Sequence, residues 1–99
     1  MSDKFILEGR KAVPCPDLMT WAKWFETANR HVAQDTIGDV RISTVFLGLD
    51  HNFLGDRPLL FETMIFGGAH DQYQERCSTW DEAEKMHAEA LALVRGALQ

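Results

Sequence analysis

Histidines, carboxylates and cysteines are the side chains able to pass protons, hold a metal or attack an electrophile. Their spacing limits which of these they can do. Asp50-His51 closes a strand-like run and opens a loop, a position where binding residues concentrate. Glu62 stands between Phe61 and Thr63, and a carboxylate there needs a partner or water because burying it unpaired is costly. His87 lies at the centre of an apolar stripe. Imidazole titrates near neutrality, so the ring reads as an acid, base or ligand, or else as a neutral side chain bonded to a strand hydroxyl such as Thr63 or to a carboxylate. Asp50, His51, Glu62 and His87 are therefore the candidate ligand or metal residues. By type they suit a divalent cation, but their spacing matches no metal motif such as H-E-x-x-H, and no cofactor is assigned. Gly48 leaves space above the sheet for a ligand or an approaching side chain.

Nucleophilic catalysis would draw on Cys15, Cys77 or Ser43 with His31, His51, His70 or His87. No G-x-S-x-G elbow or cysteine-protease context surrounds them. There is no Walker loop or G-x-G-x-x-G, and Gly67-Gly68 is too short to cradle phosphates. No catalytic residue is assigned. The two cysteines lie outside any C-x-x-C and read as reduced thiols of a cytosolic protein.

The elements that must hold these residues belong to a chain of 99 residues, room for one domain spanning 1–99. Hydrophobic residues at 45% and charged residues at 25% give an ordinary globular mix. No apolar run reaches the ~20 residues of a membrane helix, and no signal peptide opens the chain, so the expectation is a soluble protein that stays where it is made. Ten Lys and Arg against fifteen Asp and Glu leave a charge of −5. The only adjacent basic pair is Arg10-Lys11, so direct nucleic-acid binding is disfavoured.

Phe5-Ile6-Leu7 and Ala12-Val13 flank a turn at Gly9 and predict a short hairpin, stopped by Pro14 and Pro16. Leu18, Trp21, Ala22, Phe25 and Ala28 recur at helical spacing, so a first helix covers about 17–28, entered at Pro16-Asp17 and closed by Asn29 in a left-handed conformation. Residues 30–37 read as helix extension or strand, with strand preferred and a turn at Gly38-Asp39. Val40–Asp50 and Leu59–Gly67 are the clearest strands, His51–Pro58 the loop between them, and Asp71–Ser78 a polar edge strand. Thr79 and Glu82 form a capping box for a second helix over about 80–95, with Gly96 as its C-cap. The fold class is α+β: two layers, an antiparallel sheet of four to six strands and two helices.

Pairing the two clear strands across their loop sets Val45, Leu47 and Leu49 with Phe61, Thr63 and Ile65 on one face. Thr44, Phe46, Gly48 and Asp50 then lie beside Leu60, Glu62, Met64 and Phe66 on the other. Both faces are largely apolar, whereas a half-solvated sheet alternates cleanly. With both helices on one face, Phe46, Met64 and Phe66 are left as an interaction surface, together with the half-exposed Trp24. A symmetric homodimer is the simplest cover.

The segments Ser43–Phe53 (STVFLGLDHNF), Leu60–Gly68 (LLFETMIFGG from Leu59) and Thr79–His87 (TWDEAEKMH), with Pro16-Asp17-Leu18 and Trp21 upstream, resemble a family of small proteins encoded by bacteriophages and prophages. The resemblance implies a viral setting in the cytoplasm of a bacterial host and transfers no catalytic residue. The leading expectation is a non-enzymatic phage accessory protein that binds itself or a host protein, anti-defence inhibition included. The alternatives are a small-molecule or metal site around Asp50, His51, Glu62 and His87, and a structural phage component.

Overall fold

The structure, a computed structural model, describes residues 3–51 and 55–97. In chain order the elements are β1 (Phe5–Glu8), β2 (Lys11–Pro14), α1 (Leu18–Thr27), β3 (His31–Ile37), β4 (Val40–Phe46), β5 (Phe61–Phe66), β6 (Gln74–Cys77) and α2 (Trp80–Ala97). β1 and β2 make a separate hairpin, while β3-β4-β5-β6 form an antiparallel meander in that spatial order. The fold is α+β, as the sequence predicts. Within the loop predicted at 51–58, residues 52–54 lie outside the described residues.

α2 starts as its capping box requires. The Thr79 hydroxyl accepts from the Glu82 amide at 3.2 Å, and the Glu82 carboxylate accepts from the Thr79 amide at 3.1 Å. The helix does not stop at Gly96 but runs through it to Ala97. Ala83, Met86, His87, Ala90 and Val94 are its buried residues, and they lie on the sheet beside Val40, Ile42, Ile65, Phe46 and Phe61. α1 is capped by Asp17, whose carboxylate accepts from the Thr20 amide at 2.9 Å. Its C-terminus differs from expectation. Ala28 closes it in an extended conformation, and Asn29 does not turn left-handed but accepts the His31 amide at 3.1 Å.

The predicted pairing of the central strands is off by one residue. Phe46 stands opposite Phe61, Thr44 opposite Thr63 and Ile42 opposite Ile65. Side chains alternate faces, so a one-residue slip transfers every residue of the slipped strand to the other side. Phe46 therefore faces α2 and is fully buried, and it is not part of an open surface. Val45, predicted beside Phe61, stands opposite Glu62 instead.

β4 ends at Phe46, short of the predicted Asp50, because the chain bends at Gly48 (φ +79°). A Cβ at Gly48 would lie 2.9 Å from the Phe25 ring, so Phe25 and Trp21 of α1 fill the space that the sequence offered to a ligand. The Trp21 indole N–H donates to the Phe5 and Gly48 carbonyls, at 3.1 Å each. Trp24 meets Phe46 edge-on with ring centres 5.7 Å apart. α1 is thus hung at the end of the sheet beside β1, with none of its ten residues buried, and its Trp24 packs against the cluster under α2. β3 carries a bulge between His31 and Ala33, and the extra residue, Val32, packs against the Phe46 cluster. The shortest dimension of the molecule, 20 Å, is that of two layers. Among the described residues no helix is long and apolar enough to cross a membrane.

Candidate functional site

The four residues predicted to share a ligand do not meet. His87 lies under the inner, α2-covered face of the sheet. Glu62, paired with Val45, projects from the outer face. Asp50 and His51 sit beyond the end of β4, where they tie the chain back on itself. The Asp50 carboxylate accepts the Leu59 amide at 3.0 Å, and the His51 amide donates to the Leu59 carbonyl at 3.1 Å. Among the described residues no three His, Cys, Asp or Glu side chains gather as a metal set.

His87 heads a buried polar line. Its Nε2 lies 2.8 Å from Asp35 Oδ2 and its Nδ1 lies 2.7 Å from the Thr44 hydroxyl, which in turn bonds the Thr63 hydroxyl. A carboxylate can only accept, so Nε2 carries the proton toward Asp35; in the neutral ring Nδ1 then accepts from Thr44 and Thr44 accepts from Thr63. Asp35, His87 and Thr44 stand in the order of a nucleophilic triad. Thr44 and Thr63 have no exposed surface, so neither hydroxyl can reach a substrate. The line satisfies polar groups in the core. The sequence suggested Thr63 or a carboxylate as the partner of His87; the direct hydroxyl is Thr44, one strand over. Asp35 was missed. Its signal was parity: it alternates with Ala33 and Ile37 and so had to face the core side of an edge strand.

A cleft of about 630 Å³ opens between the β1–β2 turn and the start of α2, lined by Phe5, Arg10, Lys11, Arg57, Leu60 and Trp80 among others. Arg57 and the amides at the start of α2, which also line it, are engaged by Glu82. Arg57 grips Glu82 with both guanidinium nitrogens at 2.9 and 3.2 Å, and the Ser78 and Thr79 amides also donate to Glu82 Oε1. The Arg57 bonds foremost, with the Thr79 hydroxyl and the Ser78 amide, hold the Glu82 carboxyl below its ordinary value despite some desolvation. The buried Trp80 indole N–H has no hydrogen-bond partner among the described residues. Both described cysteines are free. Burial, with the Glu82 charge added, pushes the Cys77 thiol up to about 11, so it stays protonated and a poor nucleophile, while Cys15 is buried.

The outer face holds three rows read from the register: Thr36–Arg41–Phe66, Gln34–Ser43–Met64–Gln74 and His31–Val45–Glu62–Arg76. Ser43, Val45, Met64 and Phe66 are half-buried by neighbours on the sheet, and none belongs to either core cluster. The Arg41 guanidinium lies 4.6 Å from the Phe66 ring centre. Glu62 Oε2 accepts from Gln74 Nε2 at 2.5 Å and from Arg76 Nε at 2.9 Å. Of the four residues predicted as one interface, Met64 and Phe66 share this face. Phe46 faces the core, and Trp24 leans on it from α1. Comparison with protein-family models, curated proteins and solved structures returns no match to this chain.

Proposed function

We propose that the chain is a binding protein that works through contact with protein, without an enzymatic step, and that the outer face of β3–β6 is the surface it uses. The observation that carries this reading is the half-buried apolar set Val45, Met64 and Phe66 on the two central strands, over which no helix of the described chain lies. The buried hydroxyls of the His87 line and the protonated Cys77 thiol support the absence of a chemical step. The resemblance to small phage and prophage proteins supports a role as a phage accessory factor in the cytoplasm of a bacterial host, with a copy of itself or a host protein as partner.

The test is the mass of the native particle after expression of the tagged chain in bacteria. The wild-type protein is expected in a complex heavier than one 11.3 kDa chain. Met64→Lys, which places a charge in the apolar centre of the outer face, is expected to run as a lone chain with an unchanged circular dichroism spectrum. A wild-type chain that is monomeric in lysate and after purification overturns the reading, as does a Met64→Lys chain that keeps its complex.

A further inference from the structure

We draw no further inference here: the strongest candidate, the cleft of about 630 Å³ between the β1–β2 turn and the start of α2, carries nothing, since its cations Arg10 and Arg57 stand against Glu84 and Glu82, its lining also holds Glu8 and Asp81, and nothing in the structure shows what would fill it.

Discussion

Phe61 and Phe66 lie at the two ends of one strand and face opposite ways. Phe61 is fully enclosed between Phe46 and Trp80, whereas Phe66 is half-buried under a single arginine. The same division runs through both central strands. Ile42, Thr44, Phe46, Phe61, Thr63 and Ile65 look inward at α2 and have no exposed surface, while Arg41, Ser43, Val45, Glu62, Met64 and Phe66 look outward with partial exposure. On the inner face even the polar atoms are closed off in the line from Asp35 to Thr63. On the outer face the Arg41 guanidinium lies over the Phe66 ring, and the Glu62 carboxylate pairs with Arg76 while partly exposed. Two surfaces made by alternate residues of one sequence thus differ in kind: one is sealed under α2, the other sets half-buried apolar side chains among charged ones.

The largest expected effect separates the two phenylalanines. Phe61→Ala opens a cavity in the core and should lower unfolding free energy by about 3–5 kcal/mol in urea titrations. Phe66→Ala, which loses partial burial and the Arg41 contact, should cost about 1 kcal/mol. Equal losses would erase the distinction between the faces. Next come the buried hydroxyls. Thr44→Val strands both the His87 ring and the Thr63 hydroxyl and should cost about 1–3 kcal/mol, while Thr63→Val removes only the last donor of the line and should cost about 1 kcal/mol. The reverse order, by the same titration, would mean the line runs in another direction. The smallest effect is acid sensitivity at the start of α2, the helix that closes the inner face. The Glu82 carboxyl is held low in the folded chain, chiefly by Arg57. It therefore adds stability above its unfolded value of about 4.3, and that stability is lost as pH falls through the lower folded value. In thermal melts Glu82→Gln should be the less stable protein at neutral pH, with the gap closing on acidification. A constant gap would detach this carboxylate from the anchoring of α2.

Much of this architecture is legible in the residues. Thr79 and Glu82 announce the start of α2, the stripe Ala83, His87, Ala90 and Val94 its buried side, and Gly9 and Gly38 the hairpin turns, both with positive φ. What sequence reasoning lost was register. The segment 47–60 joins β4 to β5, its geometry is not set by a short turn, and a single-residue offset carried Phe46 from the core to the surface in the reading. Gly48 misled for a related reason. The missing side chain does mark space, but α1, placed by Trp21 and Phe25, occupies it. The partnership of Asp35 with His87 spans 52 positions and depends on which edge strand passes over the helix, which no local pattern reports. Faces follow from parity, but contacts between distant residues wait on topology.

The bulge at Val32 has a consequence for how the protein can aggregate. β3 is one edge of the four-stranded sheet, and an edge invites an extra strand from another molecule. Here the ladder is interrupted near its start, with Val32 drawn toward the Phe46 cluster, and Asp35 sets a carboxylate in its middle. At the opposite edge β6 is four residues long and presents Glu75 and Arg76. Both margins therefore resist the strand-by-strand growth that builds fibrils.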